Sequence, residues 1–265
     1  MKNRIVTATS QHMALVEAWL AAEDAAYREA LDAVVNRRLN VEIPDQGFLC
    51  NWHLVVSSHA RDPHNVHVLL EDELPVGFVD RLDILEVRPD RRGLGYGRKL
   101  AAFMEQWAGE RGWAVAQIEI APPSAIPFWE AMGFTRVPNR TGGGGGQYAY
   151  KHLPPRPIAL GDGPRVTYEV AFYPEQRDWD PTTPASHTFS GDGELLPDGT
   201  IQLPERAYCF APGEAETHDR VVSIVVGGKR LFEDKVKRAE ATAFGVLRDD
   251  GGLYGIERIS PSDPV

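Results

Sequence analysis

Residues 85–97 read Leu-Glu-Val-Arg-Pro-Asp-Arg-Arg-Gly-Leu-Gly-Tyr-Gly. A short apolar run passes into a helical pattern through three alternating glycines, so the chain must go from strand to helix by a turn nearly bare of side chains. Such a turn places a row of backbone N–H groups at a helix N-terminus. The partial positive charge there favours an anion by several tenths of a kcal/mol or more. Gly93, Gly95 and Gly97 remove side chains that would hold an incoming phosphate away, and a phosphorylated cofactor is the natural guest.

After the turn, Leu100, Ala101, Met104, Trp107 and Ala108 share one helical face, while Arg98, Lys99, Glu105, Gln106 and Glu110 occupy the other. Gly112 ends this helix. Residues 114–120 read as a buried strand, and residues 122–134 contain a short helix capped by Gly133. Two rival cofactor readings lack their parts. A Walker loop needs Lys-Ser or Lys-Thr after the last glycine, where this chain has Arg98. A dinucleotide fold needs an acid roughly 20 residues on, and assigning Glu119 to that role leaves the Gly133-Phe134 segment unexplained. A glycine turn without any ligand ranks below cofactor binding.

This order of strand, arginine–glycine turn, helix, strand and short helix ending in Gly-Phe resembles the GNAT superfamily of acyl-CoA-dependent N-acetyltransferases. The family's pyrophosphate signature, Gln or Arg then x-x-Gly-x-Gly, is met by Arg92, Gly95 and Gly97, with its preceding Val-x-Pro met by Val87 and Pro89. Its later segment, Ala-x-x-Phe-Tyr-x-x-x-Gly-Phe, is met by Ala125, Phe128, Gly133 and Phe134. The match is strongest over residues 76–137 and extends to residues 1–153. The resemblance implies a mostly antiparallel mixed sheet flanked by helices, with acetyl-CoA as co-substrate. It places the pyrophosphate on Arg92, Gly93, Leu94, Gly95, Tyr96, Gly97 and Arg98. The pantetheine arm falls on main-chain groups of Leu85, Glu86 and Val87, with Phe128 and Trp129 beside it.

The resemblance also implies a reaction: an amine loses a proton, attacks the thioester carbonyl, and the departing thiolate takes up a proton. A base is needed because a protonated amine has no lone pair. Asp83 has the side-chain parity of Leu85 and Val87 and occupies a place where relatives often carry a base, with Arg81 two residues back as a substrate-facing cation. The reading of Asp80, Arg81 and Asp83 as groups that only solvate a hairpin stands equally. Glu86 points to the opposite face and reads as solvated or paired. Where the family often carries a thiolate-protonating tyrosine, this chain has Trp129, whose indole N–H does not readily give up its proton. The usual asparagine a few residues earlier is replaced by Pro122. Water, Ser124, Tyr148 or Tyr150 is left to act, or the chemistry has been lost. A thiolate leaves tolerably near neutral pH, so the missing acid slows turnover without forbidding it.

Upstream, residues 4–9 read as a strand, 13–38 as an alanine-rich helix, 48–59 as another helix, and 66–71 with 75–79 as a hairpin. In the family the helical region lies over the acceptor. A Pro/Gly-rich stretch at residues 154–164 separates an expected acetyltransferase domain, 1–153, from an all-β domain, 165–265. The second shows β-like runs at 166–173, 207–210, 221–226, 230–236, 241–247 and 253–259, and Gly227-Gly228 marks a hairpin. The fold class is therefore α+β followed by a smaller all-β sandwich or barrel, for which the sequence suggests no family. Residues 142–146, five glycines, read as a mobile spacer loop.

A net charge of −10 argues against a nucleic-acid partner, whose phosphates need a basic face. The local patch of Arg88, Arg91, Arg92, Arg98 and Lys99 suits coenzyme phosphates instead. Cys50 and Cys209 form no redox or metal spacing. His53, His59, His64 and His67 show no metal pattern, and Asp178, Asp180, Asp192 and Glu194 read as solvated turns rather than calcium ligands. With no signal peptide or membrane span in the sequence, the expectation is a cytoplasmic protein. Its partner is a small-molecule, peptide or protein amine, with oligomeric state open. A second reading is a catalytically degenerate coenzyme-binding module that works through its β domain.

Overall fold

A computed structural model describes residues 3–44, 47–214 and 217–260 of the chain. The outermost residues of the two expected domains, 1–2 and 261–265, lie outside the described residues. Backbone contacts divide the chain into two compact units: Met1–Ala108 with Ser124–Gly133, and Gly109–Pro123 with Phe134–Val265.

In the first unit, β1 (Asn3–Thr7) leads into α1 (Ser10–Val35), and α2 (Trp52–Arg61) follows a 3₁₀ turn at Phe48–Asn51. Thr9 caps α1, its hydroxyl accepting from His12 N–H at 3.3 Å while His12 Nδ1 accepts from Thr9 N–H at 3.2 Å. A hairpin of β2 (Val66–Glu71) and β3 (Leu74–Asp80) is followed by β4 (Ile84–Val87), giving an antiparallel sheet in the order β1-β2-β3-β4. Met13, Val16 and Leu20 of α1 pack on this sheet together with Trp52 and Val55 of α2. At the centre lies Phe78, fully buried, with the rings of Trp19, Trp52 and Phe48 at 5.9, 5.3 and 6.1 Å. On the other face lies α3 (Tyr96–Glu110), which buries the predicted Leu100, Ala101, Met104, Trp107 and Ala108. Gly77 lets it close in: a Cβ there would stand 2.8 Å from Leu100 Cδ1.

The second unit contains β5 (Val115–Ile120). The short α4 (Ile126–Ala131), part of the first unit, precedes β6 (Thr135–Thr141) and β7 (Gln147–His152). Strands β5, β7 and β6 form a three-stranded antiparallel sheet. The rest comprises β8 (Arg165–Tyr173), β9 (His187–Leu195), β10 (Ile201–Tyr208), β11 (Val221–Val226), β12 (Lys229–Lys235), α5 (Ala239–Ala243), β13 (Leu247–Arg248) and β14 (Tyr254–Ile259). The expected all-β region is one curled antiparallel sheet, a half-barrel, ordered β12-β11-β8-β9-β10-β14-β13.

Three strand expectations change here. Residues 241–247 form the end of α5 and the start of β13, because the Ala-Glu-Ala-Thr-Ala run favours helix. The run at 207–210 is only the tail of β10. Strand β9 had no β-like composition, since it carries Gly191 and Gly193. A Cβ at Gly193 would meet Gln202 O at 2.9 Å, and the Tyr168 ring covers both glycines. The Pro/Gly stretch is also fastened, with Ile158 N–H donating to Pro204 O at 2.8 Å.

Candidate functional site

The strand-to-helix turn is held by side chains on both flanks. Arg88 N–H donates to Val76 O at 2.9 Å, which ties the exit of β4 to β3, and Pro89–Arg91 makes a 3₁₀ turn. Glu71, at the end of β2, takes Arg91 Nε at 2.8 Å and the Tyr96 hydroxyl. Those two donors hold its carboxyl below the usual range. Glu71 thus clamps the turn at both ends, on Arg91 before the glycines and on Tyr96 after them.

Between the clamps the backbone is open. Gly93 and Gly95 have φ of +79° and +84°, which glycine adopts without strain, and nothing lies within 4 Å of a Cβ added at either. The first helical bond is Lys99 N–H to Gly95 O at 3.2 Å. Among the described residues, no protein acceptor takes the N–H groups of residues 93–98. Gly97 differs in its reason: a Cβ there would stand 3.2 Å from the Phe128 ring, so it serves the packing of α4 on α3. Trp129 is buried and meets Phe128 edge-on at 5.1 Å.

The basic patch is mostly spoken for. Arg88 pairs with Asp90 at 2.7 Å, Arg91 with Glu71 and Asp90, and Lys99 with Asn3. Arg92 Nε donates to Val87 O at 3.1 Å, and its Nη2 lies 3.7 Å from Glu86. One of the β4 carbonyls expected to face the pantetheine arm is therefore taken by Arg92. Arg98 is exposed and has no ion pair among the described residues.

The faces of β4 are set by its pairing. Val87 lies opposite Gly77, on the side of Leu100 and α3. Glu86 lies opposite Phe78 and so shares the α1/α2 side, where Ile84 also packs. Burial pushes the Glu86 carboxyl up to about 7, against the lowering by Arg92, with Glu23 of α1 adding to the rise. Glu23 is itself raised, first by burial. Gly47 leaves it room, since a Cβ there would lie 2.8 Å from Glu23 Oε2. Sequence reasoning missed Glu23: nothing in helical periodicity says which strand residue an α1 side chain will reach.

Asp83 sits in the turn before β4. Its N–H donates to Asp80 O at 3.0 Å and its exposed carboxylate takes Arg81 Nη2 at 2.9 Å. Arg81 has φ of +48° and also lies 3.7 Å from Asp80. Asp80 is buried rather than solvated, bonded by Ser58 Oγ at 2.8 Å, and burial raises its pKa. Ser124 is exposed in a 3₁₀ turn at Pro123–Ala125. Thus Arg81, Asp83, Leu85, Glu86, Val87, residues 92–98, Ser124, Phe128 and Trp129 fall in the first unit. Tyr150 belongs to the second, its ring 5.0 Å from Phe210 and 5.5 Å from His152. Tyr148 there is buried and donates to Gln117 Oε1 at 2.6 Å.

Two of the histidines are used structurally: His59 Nε2 is hydrogen-bonded to Ala8 O at 2.9 Å, and the His67 ring lies tilted against Phe103 at 4.7 Å. Among the described residues no group of three His, Cys, Asp or Glu could hold a metal ion, and no helix is long and apolar enough to cross a membrane.

Residues 62–136, which span β2 to the start of β6, match the family described as "Acetyltransferase (GNAT) domain". The match is confined to this stretch, and no family is assigned to the C-terminal half-barrel. Similar solved structures include the PaiA N-acetyltransferase of Thermoplasma acidophilum in complex with coenzyme A, at 13% identity, 57% of this chain, 99% of that one and a TM-score of 0.40. An acetyltransferase from Thermus thermophilus gives 19%, 58%, 98% and 0.39. The ribosomal-protein-S18-alanine N-acetyltransferase of Escherichia coli gives 15%, 61%, 97% and 0.34. No curated protein sequence matches the chain.

Proposed function

We propose that this protein moves an acetyl group from acetyl-CoA to an amine, by direct attack of the amine on the thioester. The observation that carries the reading is the run of N–H groups at residues 93–98, opened by two positive-φ glycines at the N-terminus of α3. That run suits the diphosphate of a coenzyme, as the family of residues 62–136 implies.

For the base, Glu86 is the better-placed carboxylate. It faces α1 and α2, the side that lies over the acceptor in the family, and its raised pKa matches proton transfer near neutrality. Asp83 is the second choice, because its carboxylate is exposed and already bonded to Arg81. In this reading Arg81 orients Asp83 rather than meeting substrate. The thiolate is a good enough leaving group to need only water or Ser124 for its proton.

The test is thioester consumption over a panel of amines and peptides, beside coenzyme titration. Because Glu86 must be ionised to act, kcat/KM should rise with pH through about 7. Glu86→Gln should abolish that limb and lower kcat/KM by roughly 10²- to 10⁴-fold, with coenzyme still bound. The same shift makes the fold lose stability as pH rises from 4.5 to about 7, since the unfolded carboxyl ionises first, and the variant should lose that slope. Loss of turnover in Asp83→Asn with Glu86→Gln still active would move the base to Asp83. Tight coenzyme binding with no transfer to any amine would favour the non-catalytic module instead.

A further inference from the structure

We propose that the second unit holds a binding site for a small organic carboxylate, in a cavity of about 140 Å³ between the segment after β10 and the turn joining β13 to β14. This site is independent of the acetyl-transfer reading.

Its lining is mostly polar, with a small apolar area from the buried Phe210 and Leu253. Two donors on its lining are left over. Gln117 accepts the Tyr148 hydroxyl on Oε1, which fixes the orientation of the amide, and no protein group takes the protons of Nε2 among the described residues. Arg248 donates Nε to Gly252 O at 3.2 Å, and among the described residues its guanidinium pairs with no carboxylate. The acid on the lining, Glu214, is already matched: Arg220 holds it by Nε and Nη2 at 2.9 and 2.8 Å. The cavity therefore carries an exposed arginine with no carboxylate partner among the described residues, its guanidinium 6.0 Å from the Tyr254 ring, together with surplus N–H donors and a small apolar patch.

A cation would face Arg248, and a neutral apolar guest would leave the Gln117 donors unmet. A carboxylate offers acceptors to both and lays its methylenes on Phe210 and Leu253. At a volume of roughly five waters, the guest has a handful of heavy atoms, in the range of acetate to butyrate.

Calorimetry and thermal unfolding of the full chain with potassium acetate, propionate and butyrate at constant ionic strength test this, with chloride, inorganic phosphate and propylammonium as comparators. The expected result is saturable, roughly millimolar carboxylate binding that strengthens with chain length. Arg248→Met should weaken it at least about tenfold, and Gln117→Leu about fivefold, with Arg248→Lys intermediate and coenzyme affinity unchanged. The proposal is overturned by carboxylates acting no differently from chloride, by preference for phosphate or propylammonium, or by Arg248→Met binding like the parent protein.

Discussion

The chain has two glycine-rich turns of similar length, at residues 93–97 and 142–146, and they treat their N–H groups in opposite ways. In the second, Glu119 reaches across with one carboxylate, taking Gly144 N–H at 2.9 Å on Oε2 and Gly146 N–H at 2.5 Å on Oε1. The loop also closes on itself through Gly142 N–H to Gly146 O at 2.8 Å. It is a small anion cradle with its own anion, not the unattached spacer its composition suggests. Residues 161 and 163 repeat the device, their N–H groups bound by Glu194. At residues 93–98 no such carboxylate is provided by the described residues. Glu71 is occupied with Arg91 and Tyr96, and Glu86 lies beside Arg92. What separates a structural glycine turn from a ligand cradle is therefore whether the fold supplies the anion itself.

The largest break in that contrast comes from Gly95→Val. A β-branched residue at φ of +84° is strained by roughly 1–2 kcal/mol, and its methyls enter the space where a phosphate would approach. Coenzyme affinity should fall about thirtyfold or more, read by calorimetry. Affinity within twofold of the parent would mean the open N–H groups do not hold the diphosphate.

Sequence alone located the open turn, the buried face of α3, the capping glycines and most strands of the half-barrel, because each is written in local periodicity or turn chemistry. It was silent where partners arrive from far along the chain. Glu119 reads as an ordinary strand residue, and nothing near 142–146 announces that it will fill the loop. Glu23 and Glu86 are separated by α2 and two strands, and only packing brings them to a common arginine. Strand β9 escaped because its glycines fit beneath Tyr168, a tertiary fact. The three glycines of the first turn looked equivalent, yet Gly97 answers to Phe128 while Gly93 and Gly95 set the backbone.

A smaller effect is expected from emptying the self-filled turn. Glu119→Ala leaves the N–H groups of Gly144 and Gly146 to water, so the cost should be about 1–2 kcal/mol, seen as a lower Tm with unchanged coenzyme affinity. Added acetate should restore part of the lost Tm in the variant and more than in the parent. If the variant instead melts like the parent, Glu119 is a passive neighbour and the two turns are alike after all.

The smallest effect distinguishes two arginines that the turn places close together. Arg92, the signature residue, is already bonded to Val87 O and lies beside Glu86, so phosphate must compete for it. Arg98 is exposed on the first turn of α3 with no ion pair among the described residues, and a phosphate can use it without displacing anything. An exposed charge of this kind contributes about 0.5–1 kcal/mol, so Arg98→Ala should weaken coenzyme binding roughly two- to fivefold at low salt. The loss should shrink as ionic strength rises and be largely rescued by Arg98→Lys, because a point charge suffices there. Equal affinity for parent and Arg98→Ala at low salt would place the phosphates on the backbone alone, sharpening the contrast with the Glu119 turn, which is held by backbone N–H groups.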